Sequence, residues 1–247
     1  MSEYVTVARE DGIAVLLLDN PPVNALGLNL RGPLFAALEA ARDDAAVKGI
    51  VIACAGRTFV SGADITEFGT ERALAKPSLH DICALLDGLE KPTVAAIHGT
   101  ALGGGLELAL ACDLRAASTR AQIGLPEARV GMIPGAGGTQ RLTRLCGPGV
   151  SARLILGGEV VDGAEAERLG IVEWAVEADA LGAFVADTAV RAGGLSRQAL
   201  LASKDCIAAW HDPQIDGFAR EIEKPRELMP TQEARSRVLG FFRRKAG

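Results

Sequence analysis

His98-Gly99-Thr100-Ala101-Leu102-Gly103-Gly104-Gly105-Leu106-Glu107-Leu108-Ala109-Leu110-Ala111 is the stretch on which the fold turns. It reads as a strand end, a glycine turn and then a helix. The first amides of a helix have no internal partner and carry partial positive charge. Glycines there let another group come close to the backbone. Glu107 follows Gly104 by three residues, about one helical turn, so both can face one site. It also interrupts a helix that otherwise reads as buried. A buried carboxylate without partners is costly, and such groups gather at functional sites. Taken singly, a glycine-rich turn more often serves packing, and a helical glutamate is more often solvated.

Working outward, Thr93–Ile97 is a short apolar strand announced by Pro92, and Leu79–Leu89 an amphipathic helix before it. Gly49–Ala55 is a continuous apolar run, as expected of a strand buried on both faces. Val5–Arg9 and Ile13–Leu18 form a hairpin across Asp11-Gly12. Asn20-Pro21-Pro22 then imposes an extended loop, and Leu30–Asp43 has helical spacing. Downstream, Leu114–Ala117 and Ala121–Ile123 read as strands, and Ser151–Leu156 and Gly163–Leu169 as helices. Asp162 and Glu165 have the spacing of a capping box, and Gly170 ends that helix. After Ile171–Val176 the chain is helical to its end. Strands alternating with helices followed by a helical tail predict an α/β core over residues 1–195 and a C-terminal helical region over 196–247.

Composition narrows the function. Apolar residues are 49% of 247 and aromatics only 4%, against 29 glycines. The core must be aliphatic and closely packed. The net charge of −5 comes with no basic tract that could follow a nucleic-acid backbone, so no nucleic-acid partner is expected. The apolar stretch from Thr93 to Ala117 is interrupted by His98, glycines, Glu107 and Asp113, which argues against a membrane span. No secretory signal is visible in the N-terminal residues. Five scattered cysteines (Cys54, Cys83, Cys112, Cys146, Cys206) form no CxxC pair and have no histidine at ligand spacing. They predict buried thiols, no metal site and a cytoplasmic setting.

A second carboxylate, Glu127, sits in Leu125-Pro126-Glu127, twenty positions after Glu107. Thr58-Phe59-Val60-Ser61-Gly62-Ala63-Asp64-Ile65 follows the buried strand and offers a backbone amide at Ala63. Together with the Gly104 amide it could grip one carbonyl oxygen. Other motifs fail. Gly135-Ala136-Gly137-Gly138-Thr139-Gln140 begins like a dinucleotide fingerprint, but Gln140 stands where the last glycine belongs, and no GxxxxGK[ST] loop exists. Ser61 lacks the GxSxG frame. His80, His98 and His211 are isolated, and His98 reads as a packed, locally hydrogen-bonded residue. Asp64 reads equally as a cap or a ligand contact.

As a set these segments resemble the enoyl-CoA hydratase/isomerase (crotonase) superfamily. The matching blocks are Asn20-Pro21-Pro22-Val23-Asn24-Ala25-Leu26, Phe59–Ile65, Gly103–Ala109, Leu125-Pro126-Glu127, and Gly135 through Leu142. Leu156-Gly157-Gly158 and Ala166–Val172 extend the match. The flavour is that of the first module of multifunctional fatty-acid β-oxidation enzymes. The resemblance implies a crotonase-like spiral of ββα units with an α-helical C-terminal region, and a homotrimer or dimer of trimers. It puts an oxyanion hole at the N–H groups of Ala63 and Gly104 and catalysis on Glu107 and Glu127. Substrate contacts are carried onto Val23, Ala25, Ser61, Gly62, Ala63, Asp64, Ile65, Gly103, Gly104, Pro126 and Gly135. The implied substrate is an acyl-CoA thioester. No separate cofactor is expected, because coenzyme A is part of the substrate. Relatives often carry lysine where Thr66 stands here, so a contact to the CoA phosphates falls to other cations, such as Lys204 or the C-terminal basic residues. Hydration of a trans-2-enoyl-CoA is the expected reaction. The alternatives are Δ3,Δ2-enoyl-CoA isomerisation by Glu127 alone and non-catalytic acyl-CoA binding.

Overall fold

The computed structural model describes residues 3–210 and 212–245, with the side chains of 244 and 245 left aside. His211 therefore lies outside the described residues, as do the Arg244 and Lys245 side chains. The chain divides into two compact units, Met1–Ala192 and Gly193–Gly247.

The first unit opens with the expected hairpin, β1 (Val5–Glu10) and β2 (Ile13–Leu18). Its turn residues Asp11 and Gly12 both have positive φ, as the tightest hairpin turns require. Helix α1 (Leu28–Asp43) follows. Then come β3 (Gly49–Cys54), β4 (Thr58–Val60), the short α2 (Glu71–Leu74), and α3 (Leu79–Asp87). The next turn of chain is β5 (Thr93–Ile97), β6 (Thr100–Leu102) and α4 (Gly104–Leu110). Strands β7 (Leu114–Ser118) and β8 (Gln122–Gly124) lead to α5 (Gly138–Ile155). The unit finishes with β9 (Val160–Asp162), α6 (Gly163–Arg168), β10 (Trp174–Val176) and α7 (Leu181–Gly193).

Two sheets result, in the orders β1-β2-β3-β5-β7-β10 and β4-β6-β8-β9. The pairs β3/β4, β5/β6 and β7/β8 each leave one strand in each sheet before the chain moves on. The expected spiral of ββα units is therefore present. From β2 to β10 the larger sheet is wholly parallel. It is apolar on both faces, as parallel sheets must be. One face packs on α7 through Ile13, Val51, Val94, Ala116, Val185 and Ala189. The other faces the main core, to which α1, α3 and α4 contribute. Phe59 apart, the largest fully buried side chains are leucines and isoleucines. Any side chain at Gly105 would be driven into the Val60 carbonyl, so glycine there sets how closely α4 lies on β4.

Some local expectations need correction. Strands β4, β6 and β9 have three residues each, too few to show an alternating pattern. Helix α5 begins at Gly138 rather than Ser151. Gly147, with φ 81° and ψ 168°, and Pro148 kink it, and they make its first half read as loop. Asp162 caps α6 by accepting from the Glu165 N–H at 2.8 Å. The Glu165 carboxylate pairs with Arg168 instead of closing the box. The second unit holds α8 (Arg197–Ala209), α9 (Gly217–Leu228) and α10 (Gln232–Lys245). No helix among the described residues is long and apolar enough to cross a membrane.

Candidate active site

Strands β4, β6 and β8 lie side by side and run parallel. Each releases the chain at the same edge of the smaller sheet. From β4 come Ser61-Gly62-Ala63, from β6 comes Gly103 at the head of α4, and from β8 comes Leu125-Pro126-Glu127. Sites in α/β proteins collect at such carboxyl ends of parallel strands.

The first two loops are shaped by glycine. Gly62 has φ 125° and Gly103 φ 52°, a region closed to most residues. A Cβ on Gly104 would lie 2.8 Å from Leu79 Cδ2 and 3.5 Å from the Ala63 nitrogen, which puts the two amides next to each other. Neither the Ala63 nor the Gly104 N–H donates to another group among the described residues. The Ala63 loop is laid against Val23–Leu26, with Ser61 N donating to Val23 O (3.1 Å) and Leu26 N to Gly62 O (2.9 Å). Buried Asn24 fastens that segment through its side-chain amide, which donates to Ala55 O (2.9 Å) and Thr58 O (2.7 Å). Buried Glu67 anchors the far side. It accepts from the Leu28 N–H at the head of α1 and from Arg31 and Arg72.

The two carboxylates meet different surroundings. Glu107 is 3% exposed, and its Oε1 accepts from the N–H groups of Ala136 (2.7 Å) and Gly138 (2.8 Å). The second of these opens α5, where an acceptor is favoured. Glu127 starts a short 3-10 helix, Glu127–Val130, which Arg129 ties to Gly158 O at 2.6 Å. Its Oε1 lies 3.1 Å from where a Cβ on Gly103 would stand, so the carboxyl backs onto the glycine turn. Its Oε2 is shielded from solvent and has no hydrogen-bond partner among the described residues. Burial first, and then the charge of Glu107, raises the Glu127 pKa above the ordinary value.

Of the other predicted contacts, Val23, Ala25, Ser61 and Gly62 frame the Ala63 amide, and Pro126 precedes Glu127. Ile65 is 70% exposed on the short helix Ile65–Glu67, and Gly135 is exposed at the start of the loop that reaches Glu107. Asp64 is a cap: its Oδ1 accepts from the Thr66 N–H (3.0 Å) and hydroxyl (2.6 Å). His98 Nε2 is 3.1 Å from Gly56 O, a hydrogen-bond partner distant in sequence rather than the local one expected. Cys54, Cys83 and Cys112 are buried, and burial raises their pKa values. Cys146 and Cys206 are partly exposed. No group of three or more His, Cys, Asp or Glu among the described residues is placed to hold a metal ion. The cradle of Glu107 and the Glu67 anchor are additions that the sequence reading missed. Their signals were Gly137-Gly138 before a helix and an acidic residue three places after Asp64.

Two neighbouring amides without acceptors among the described residues lie in the same strand-end loops as a carboxylate held by two N–H groups and a carboxyl of raised pKa. The chain belongs to the enoyl-CoA hydratase/isomerase family, whose profile matches residues 8–224. It is 38% identical over 185 residues to the crotonyl-CoA hydratase of Syntrophomonas wolfei, covering 72% of this chain and 71% of that one. It is 44% identical over 177 residues to the peroxisomal bifunctional enzyme of Danio rerio, covering 72% of this chain but only 24% of that longer protein. Among solved structures, enoyl-CoA hydratase subunit I of Geobacillus kaustophilus superimposes with a TM-score of 0.90. That match has 34% identity and covers 98% of this chain and 97% of the other.

Proposed function

We propose that the chain is an enoyl-CoA hydratase that adds water syn across the double bond of a trans-2-enoyl-CoA, giving a 3-hydroxyacyl-CoA in fatty-acid β-oxidation. The observation that carries this is the contrast between the two carboxylates at one pair of free amides. The thioester oxygen would sit between the N–H groups of Ala63 and Gly104, which draws electrons from C3 and stabilises enolate charge. A water lies between Glu107 and Glu127. Glu107, held by two amides, takes a proton from the water as its oxygen bonds to C3. Glu127, whose raised pKa favours the neutral acid, gives its proton to C2. The proton on Glu107 then returns to Glu127 through solvent, and the site is reset.

Isomerisation needs only one carboxylate to carry a proton between C2 and C4. The elaborate fixing of Glu107 favours hydration, because a group with no role has no need of two dedicated amides. Non-catalytic acyl-CoA binding would need neither carboxyl. Five free thiols fit a cytoplasmic enzyme. The second unit exposes Trp210, Phe218 and Ile222, apolar area that a homotrimer or dimer of trimers would cover.

The test is hydration of crotonyl-CoA and longer 2-enoyl thioesters, followed by loss of the enoyl-thioester absorbance, with a 3-enoyl-CoA alongside. Turnover of the 2-enoyl substrates supports the proposal. Turnover of the 3-enoyl compound alone favours isomerase. Acyl-CoA binding without any turnover favours the binding protein.

A further inference from the structure

Arg141 does no chemistry in the reaction above, yet its guanidinium spans the structure behind Glu107. It stands in α5, one turn after Gly138. Its Nη1 donates to the Ala136 carbonyl at 2.7 Å. Its Nε donates to Asp87 Oδ1 at 3.2 Å, and its Nη2 pairs with Asp87 Oδ2, at the C-terminal end of α3. The guanidinium thus uses the fork geometry suited to a carboxylate on one side and grips a backbone carbonyl on the other. That carbonyl belongs to Ala136, whose N–H is one of the two that hold Glu107. The loop it fixes turns at Gly137, with φ 101°, where a side chain would collide with Arg141 itself. The Arg141 charge is also within electrostatic reach of Glu107 and Cys83. The side chain is largely covered, whereas Asp87 stands half in solvent.

We infer that Arg141, braced by Asp87, is a positioning residue for Glu107: it locks the 135–138 loop so that the Ala136 and Gly138 amides aim the carboxylate at the water. This rests on the hydratase reading for its effect on rate, but not for its effect on the Glu107 carboxyl. Without the fork, the loop can rotate and the carboxylate follows. Misplacement of a reacting group by about 1 Å costs on the order of a hundredfold in rate.

The experiment compares the full chain with Arg141→Gln, Asp87→Asn and Glu107→Gln. Each is read by crotonyl-CoA kinetics and by the 13C resonance of the Glu107 side-chain carboxyl, identified by its absence in Glu107→Gln. Arg141→Gln is expected to lower kcat by roughly ten- to a hundredfold with KM within about twofold. It should also shift the Glu107 resonance. Asp87→Asn, at an exposed position that keeps the arginine, should shift the same resonance in the same direction with a smaller loss of kcat, and it serves if Arg141→Gln does not fold. In the Glu107→Gln background the Arg141 change should cost less than about threefold, because it acts through the group already removed. An unmoved Glu107 resonance in Arg141→Gln or Asp87→Asn overturns the inference. So does an equal loss of rate with and without Glu107. If the wild-type chain hydrates no enoyl thioester, the hydratase reading falls while the resonance still decides the role of Arg141.

Discussion

Helix α4 and the short helix Glu127–Val130 each carry one glutamate of the candidate site, and they hold it by opposite means. Every residue of α4 is buried, and its glutamate is met by two amides. No residue of Glu127–Val130 is fully buried, yet one oxygen of its glutamate is shielded from solvent and has no hydrogen-bond partner among the described residues. The same functional group is a carboxylate held by two N–H donors in one place and a carboxyl of raised pKa in the other. In the proposed reaction this difference of environment, not of residue type, divides the roles.

The comparison breaks first on the glutamates themselves. Glu127→Gln and Glu107→Gln are each expected to lower kcat for crotonyl-CoA hydration by about a thousandfold, within the range of general acid–base catalysis. The double variant should lose little more than the worse single one, since the pair works as a unit. Additive losses in steady-state kinetics would mean two independent contributions.

Gly104→Ala leaves both carboxyls in place and attacks only the grip on the carbonyl. Its methyl group would sit 2.8 Å from Leu79 Cδ2 and beside the Ala63 amide. The expected loss is roughly a hundredfold in kcat/KM, the size associated with removing one oxyanion donor. Unchanged kinetics would clear the two amides of any part.

Gly138→Ala touches the braced side alone. A Cβ there would stand 2.9 Å from Glu107 Cγ and 3.0 Å from its Oε1. Displacing the carboxylate by a few tenths of an ångström should cost about tenfold in kcat. Acyl-CoA affinity measured by calorimetry should hold.

The smallest effect isolates the orphaned side. The Glu127 pKa is higher in the folded chain than its ordinary 4.5. Below that ordinary value both folded and unfolded states are neutral, and no cost arises. As pH rises through the folded pKa, folding must carry a half-buried charge, and stability is lost. Glu127→Gln should therefore equal the wild type in urea melts near about pH 4 and exceed it slightly near pH 7. For the same reason the hydration rate should fall as pH rises through the folded pKa, because the acid form of Glu127 is the donor.

How far the sequence revealed this follows from where each signal is stored. The larger sheet was legible through β2, β3 and β5, which are five or six residues long and almost wholly apolar, and the hairpin because Asp11-Gly12 admits little else. Of the smaller sheet only Ala121–Ile123, which overlaps β8, was legible: three residues of β4 or β6 show no period, and only pairing in space makes them strands. Glu107 announced itself by standing in an apolar helix. Glu127 had no such contrast, lying between Pro126 and exposed residues, and only its likeness to a family block picked it out. The Glu107 cradle stayed hidden because backbone N–H groups leave no mark in a sequence except the glycines that bend them into place. Asp64 could be read either way, and its hydrogen bonds to Thr66 bear out the capping half of that reading.

Hydration of crotonyl-CoA in heavy water, followed by NMR of the product, tests the division of labour most directly. The account predicts 3-hydroxybutyryl-CoA with a single deuteron at C2, on the face that also receives the hydroxyl, and almost no product from Glu127→Gln even though it still binds acyl-CoA. No hydroxyacyl product from the wild-type chain, or a full rate from Glu127→Gln, would contradict it.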